Sequence, residues 1–197
     1  MIVILDRQHY GKPGRDDKGA KVKHGGGWIY EIALTAAYNE HATAMLTSEG
    51  HTVHVLESGW YAERHDRAAE IAAANPDVPT AYVACHVNAG QGTYALAVHD
   101  KRSKGGAALA ECVAGGLAGA GAGAIDRAIV RGSERGGDWG RAHVTIAGIW
   151  EAPANCVGVC FEPFFIDQPR HAPFLAAPGL EVIGHSLAVA CMKWATN

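Results

Sequence analysis

Short runs of apolar, β-branched residues alternate along this chain with helix-length segments, and that alternation limits the fold more than any other feature. The strand candidates are Ile2–Asp6, Thr52–Leu56, Thr80–His86, Thr93–His99 and Cys156–Glu162, with a weaker one near Val144–Ile149. Between the first two lies "WIYEIALTAAYNEHATAML", where Tyr30, Leu34, Ala37, Tyr38, His41 and Met45 recur at helical spacing and mark one apolar face. Gly50, in the "SEG" after that segment, suits the position just past a helix end. Further helices are expected in "ERHDRAAEIAAAN", in "SKGGAALAECVAGGLAGA" and from Gly179 to Ala195. Strands alternating with helices imply an α/β domain whose mostly parallel sheet carries helices on both faces. The link from His86 to Thr93 is too short for a crossover, so the third and fourth strands should be antiparallel and the sheet mixed. Two stretches, Arg7–Gly27 and Gly121–Arg141, show no regular pattern and are rich in Gly, Arg and Asp. Loops of that length inside a compact domain tend to be functional or mobile.

The 197 residues suit a single domain spanning 1–197. An apolar content of 48% with 19% charged residues is that of a globular chain. A net charge of −3 without a Lys/Arg cluster argues against nucleic acid as a partner. No run approaches the roughly 18 apolar residues of a membrane span. "MIVILDRQHY" lacks the basic leader of a signal peptide, so synthesis in the cytoplasm is expected. Cys85, Cys112, Cys156, Cys160 and Cys191 lie scattered in apolar segments, as reduced core thiols do. Cys156 and Cys160 are about 13 Å apart along a strand, too far to share an ion.

Polar residues at the strand ends carry the chemistry. The first strand runs out into His9, the third ends at His86, and the fifth ends at Glu162. Glu31 falls in the first turn of the helix after the first strand. Carboxyl ends of parallel strands and N-termini of the helices after them share one edge, where ligands of α/β sheets gather. Two imidazoles and two carboxylates therefore converge from four segments. Two histidines with one carboxylate and an open position are a recurrent catalytic zinc set. A second carboxylate that stays off the metal is what such a site needs as a proton acceptor. Each residue also has a plain reading: His9 as a loop cap, His86 as a half-buried hydrogen-bonding histidine, Glu31 as an acid favoured at a helix N-terminus. Glu162 fits such a reading least, because an acid ending "VGVCF" lies at the limit of a buried strand and needs a partner.

The chain resembles the zinc-dependent N-acetylmuramoyl-L-alanine amidases of the Amidase_3 type, which cleave peptidoglycan. "IVILDRQHYGKPG" is similar to their opening strand and first-ligand loop, "YEIALTAAYNEHATAML" to the glutamate-bearing helix, and "GHTVHVLES" to the second strand. "ERHDRAAEIAAAN" is similar to an arginine-containing helix, "VACHVNAG" to the His-x-Asn-Ala element, and "VGVCFEPFF" to the segment with the catalytic glutamate. Carried over by position, the resemblance implies a Zn2+ ion held by His9, Glu31 and His86, with Glu162 as general base and then general acid. Arg131, in "VRGSERGG", would lie on the substrate side. It also implies peptidoglycan or muropeptide as substrate, and an endolysin-like catalytic domain that reaches the wall after release. The family's usual Pro-Gly-His-Gly run reads Arg7-Gln8-His9-Tyr10 here, and Pro163 comes directly after the glutamate; both departures touch loop shape and substrate fit.

Two other readings compete. "HGGGW", His24–Trp28, is like the oxyanion segment of some esterases, but the nucleophile elbow Gly-x-Ser-x-Gly is missing, and Ser133 in "GSER" has the wrong spacing. His24 would be a spare ligand if His9 were not one. A non-catalytic wall-binding or structural domain is the second alternative. It sits poorly with an open ligand position and no cysteine nearby, since structural zinc sites usually fill all four places. Trp28, Trp139 and Trp150 lie in or near loops, where they would contact sugar or peptide or be partly buried.

Overall fold

A computed structural model describes residues 1–120 and 123–197. Along the chain, β1 (Ile2–Arg7) leads through a hairpin of β2 (Lys21–His24) and β3 (Gly27–Tyr30) into α1 (Glu31–Ser48). Next come β4 (Thr52–Leu56), α2 (Tyr61–Ala73), β5 (Thr80–Cys85), β6 (Tyr94–Asp100), α3 (Lys104–Ala120) and β7 (Arg127–Ser133). The short α4 (Gly140–Val144), β8 (Cys156–Glu162) and α5 (Gly179–Ala195) complete the chain, with 3-10 turns at Ala147–Glu151 and Pro169–Leu175.

Six strands make one sheet in the order β4-β1-β5-β8-β6-β7. The pairs β1/β4, β1/β5, β5/β8 and β6/β7 are parallel, and β6/β8 is antiparallel. Helices α1, α3 and α5 cover one face over Val3, Leu5, Val83, Val159 and Phe161. Helix α2 and the 146–149 segment cover the other, over Ile4, Tyr82, Leu96, Val98 and Cys160. Burial on both faces explains why β1 and β5 read as nearly unbroken apolar runs rather than alternating ones. The expected α/β sandwich with a mixed sheet is therefore the observed one.

Five details differ from the sequence expectation. Strand β6 runs opposite to β5 but does not touch it, because β8 inserts between them and pairs Leu96 with Glu162. The Val144–Ile149 segment is helical: Ile146 and Ile149 reach the core at i, i+3 spacing beside Ala68 and Ile71 of α2. The 121–141 stretch, whose first two residues lie outside the described ones, contains β7. This is an edge strand whose Ala128, Ile129 and Val130 are only half-buried between exposed arginines, so its apolar signal is weak. The 7–27 stretch contains β2. In α1 the buried stripe is Glu31, Leu34, Thr35, Tyr38, Asn39, Ala42 and Leu46, rotated from the one expected, because α1 packs against both the sheet and α5. His41 and Met45 lie on its flank, half-buried.

Two constraints fix α1. Glu49 N–H returns to the Met45 carbonyl, and Gly50 turns away at φ +79°, a backbone state with little cost only for glycine. On its outer side, Gly184 of α5 lies so close that a Cβ there would meet the Tyr38 carbonyl and His41. Among the described residues no single helix is long and apolar enough to cross a membrane.

Substituting Gly184→Val should therefore push α5 off α1 and cost about 1–3 kcal/mol by overpacking. Urea unfolding checks this; unchanged stability would contradict the contact.

Candidate metal centre

The parallel pairing places Arg7 beside Cys85 and Cys85 beside Phe161, so the carboxyl ends of β1, β5 and β8 form one row. One residue beyond that row stand His86 and Glu162, and two beyond it stands His9. Strand β1 continues past Arg7 into a tight turn in which His9 takes φ +68°. That left-handed state is costly for a residue with a side chain, and turns the imidazole back over the strand ends. His86 is steadied from both sides: its N–H bonds the Phe161 carbonyl at 3.0 Å, and its own carbonyl accepts from the Tyr38 hydroxyl at 3.0 Å.

Glu31, the first residue of α1, reaches into the same space and is 3% exposed. Its Oε1 lies 2.9 Å from His86 Nδ1 and 3.3 Å from His9 Nε2, and also accepts the Val87 N–H at 2.9 Å. Its Oε2 accepts the Ala20 N–H at 2.8 Å. The hairpin closes over this carboxylate: Gly19, at φ +68°, packs so tightly on Glu31 that a Cβ there would strike it. A glycine is required there by both backbone state and space.

These three side chains offer ligand atoms that all lie within 4.8 Å of one another. Ligand atoms at about 2.0–2.1 Å from a tetrahedral zinc are separated by roughly 3.3 Å, close to the two Glu31 separations above. The imidazole rings stand edge to face with centroids 5.1 Å apart. His86 Nε2 is buried without a hydrogen-bond partner among the described residues, and His9 Nδ1 has the Asp17 carboxylate as its neighbour at 2.9 Å. Neutral imidazoles and an ionised carboxylate are the donors that zinc accepts, so the residues fit such an ion. Burial alone would raise the Glu31 carboxyl, but His86 and His9 outweigh it and hold it well below the carboxylate range. For His9 burial favours the neutral ring, yet Glu31 and Asp17 prevail and raise its pKa above the usual value.

Glu162 shares a cleft of ≈ 350 Å³ with His9, Glu31 and His86, lined also by Tyr61, Asn88 and Arg141. Burial raises its carboxyl pKa, and the nearby Glu31 adds to that while His86 opposes it. The structure thus brings four of the residues singled out in the sequence into one place. It leaves others outside. Arg131 is exposed on β7, with its guanidinium on the neighbouring Val130 carbonyl, and does not line the cleft; the arginine that does is Arg141. His24 is at the exposed tip of the β2–β3 hairpin. There Gly25 and Gly26, at φ +56° and +83°, make the two-residue turn that "HGGGW" encodes. Ser133 is buried and donates its hydroxyl to the Asp138 carbonyl at 2.6 Å, which removes it as a nucleophile. Cys156 and Cys160 are buried thiols, and burial pushes Cys156 up to about 12. Trp28, Trp139 and Trp150 are all more than a third exposed, and none lines the cleft. Sequence reasoning passed over Asp17, Lys12, Gly19 and Arg141, all of which lie in the two stretches without a regular pattern. The only local signal was the density of Asp, Arg and Gly there.

The fold is that of the N-acetylmuramoyl-L-alanine amidases. No family model matches the chain, and no curated protein matches it in sequence. Solved structures do. Cwp6 from Clostridium difficile superposes with a TM-score of 0.72 at 18% identity, over 98% of this chain and 29% of its own; this chain thus spans under a third of that protein. The CwlD amidase from Clostridioides difficile, solved with the GerS lipoprotein, gives 0.69 at 17% identity over 99% of this chain and 98% of its own. The N-acetylmuramoyl-L-alanine amidase AmiC2 of Nostoc punctiforme gives 0.68 at 17% identity over 100% and 98%.

One divalent transition ion should bind per chain and shift thermal unfolding upward, by about 2.7 kcal/mol at an ion concentration of 100 Kd. Because the ion must displace the proton that His9 holds more tightly than usual, affinity should fall as pH drops through neutrality. In the ion-free protein the sign reverses. The His9 pairing stabilises the fold fully below the unfolded imidazole value and is lost as pH rises through the raised one. Scans with and without metal across pH 5–8 check both, and parallel slopes would contradict the assignment.

Proposed function

We propose that the chain is a zinc-dependent N-acetylmuramoyl-L-alanine amidase, hydrolysing the amide between the lactyl group of N-acetylmuramic acid and L-alanine in peptidoglycan. The observation that carries this reading is the meeting of His9, Glu31 and His86 at ligand distances with Glu162 in the same cleft. The amidase fold of the neighbours supports it. In this reading His9, Glu31 and His86 hold the ion, which when bound supplies Lewis acidity towards a carbonyl oxygen and towards water. Glu162 takes the proton from the attacking water and returns it to the departing alanine nitrogen. Its raised pKa suits both halves of that task better than an ordinary carboxylate would. Ala20, Val87 and the two imidazoles keep Glu31 ionised and fixed. Arg141, at the cleft wall, makes no ion pair with a carboxylate among the described residues and so is available to a peptide carboxylate. Action on the wall after release, as for an endolysin, fits the likeness to the CD27L endolysin catalytic domain, 14% identical with a TM-score of 0.64.

A purely structural or wall-binding role is disfavoured by Glu162 itself. A half-buried carboxylate with a raised pKa costs the fold stability at neutral pH and gives a binding module nothing in return.

Three outcomes are expected. Purified wall treated with the protein should gain free L-alanine amines without new reducing sugars; new reducing ends would refute an amidase. Glu162→Gln should keep the ion and lose turnover by at least about 10²–10⁴-fold, while the ion-free variant unfolds no earlier than the wild type. Full turnover in that variant would remove the assigned role. Arg141→Ala should raise KM for stem-peptide substrates with kcat nearly unchanged, and an unchanged KM would take Arg141 out of the substrate site.

A further inference from the structure

Asp17 belongs to none of the roles above, yet it meets His9 and closes the turn that holds Glu31. Its Oδ1 lies 2.9 Å from His9 Nδ1, the ring nitrogen that does not face Glu31. The same oxygen accepts the Gly19 N–H at 3.1 Å, closing the turn whose next N–H, from Ala20, holds Glu31 Oε2. Its Oδ2 accepts from Lys12 Nζ at 2.9 Å, and that buried ammonium also reaches the Tyr61 hydroxyl at 3.3 Å and lies over the Tyr61 ring. Lys12 is 6% exposed, which is uncommon for a lysine and is possible here because Asp17 answers its charge. Burial raises the Asp17 carboxyl, but Lys12, His9 and the Gly19 N–H outweigh it and hold it down at about 2.

We infer that Asp17 is the positioning residue of the metal centre: it holds the proton of His9 on Nδ1, leaves Nε2 bare for the ion, and anchors the 17–20 turn against Glu31. The inference rests on the zinc reading of His9, Glu31 and His86. A carboxylate on the far nitrogen of a metal-binding histidine fixes both tautomer and ring orientation, and its loss typically weakens metal binding by about 10- to 100-fold. Here the effect should be compound, because one side chain governs two of the three ligands. His9 needs such an anchor more than His86 does. His86 comes directly off a strand, whereas His9 is held in a left-handed turn. Lys12 acts through Asp17, as the counter-charge that holds its Oδ2.

The test measures zinc affinity by chelator competition in the wild type, His9→Ala, Asp17→Asn, Asp17→Ala and Lys12→Met, with the His9 tautomer read from ring-nitrogen NMR shifts. Asp17→Asn keeps an acceptor for Gly19 and should lose about 10-fold in affinity, and Asp17→Ala nearer 100-fold. At a pH high enough for the ion-free ring to be neutral, the His9 ring should shift from mainly the Nδ1–H tautomer in the wild type to a mixture in the Asp17 variants. A purely structural role would lower unfolding temperature without changing the tautomer of the folded protein. Affinities within twofold of wild type in both Asp17 variants, or an unaltered tautomer, would overturn the inference. Wild-type protein that binds no zinc, or His9→Ala that binds it normally, would instead overturn the zinc reading itself.

Discussion

The carboxylate of Glu31 is the point on which the rest of the structure turns. It is buried at the start of α1, where a charge without partners would be costly. Four groups from three separate segments answer it: the imidazoles of His9 and His86 and the N–H groups of Val87 and Ala20. Each partner needs its own piece of architecture. Parallel pairing of β1 and β5 brings the two histidines to one edge. The hairpin returns Ala20 to the helix start, and Gly19 leaves room for the side chain. Helix α1 is held at the right depth by α5, through the close approach at Gly184.

A second buried cluster, independent of the candidate ligands, holds the loop that bears His9. Arg64 of α2 is 1% exposed and is paired with the fully buried Asp6 at the end of β1. The same guanidinium donates to the carbonyls of Arg7, Tyr10 and Gly59, so it grips the chain on both sides of His9. Gln8 and Tyr82 complete the shell around Asp6. The left-handed state of His9 is thus imposed by hydrogen bonds at its neighbours, as strained functional residues require. The two clusters meet at His9, one fixing its backbone and the other its ring.

Much of this was legible in the sequence, and the rest was hidden for identifiable reasons. Ile2–Arg7, Thr80–Cys85 and Cys156–Glu162 announce themselves because both of their faces are buried, and each ends in, or runs on into, a polar residue with no packing role. That placed His9, His86 and Glu162 on one edge, and the helix start placed Glu31 there as well. The edge strand β7 was not legible, since an edge strand need not be apolar. Nor was the position of β8 between β5 and β6, which is a matter of long-range order. Arg131 and Arg141 could not be separated by spacing; only the turn and short helix after β7 decide which of them faces the cleft. Asp17 looked like one more charge in a polar loop, because nothing local shows that its partners are Lys12, His9 and Gly19.

The most direct test of this account is X-ray absorption at the zinc edge of the protein loaded with one equivalent of metal. Nitrogen and oxygen scatterers at about 2.0–2.1 Å, with the outer-shell signature of two imidazoles, are the predicted result. Sulfur at about 2.3 Å, or a first shell without imidazole, would contradict it.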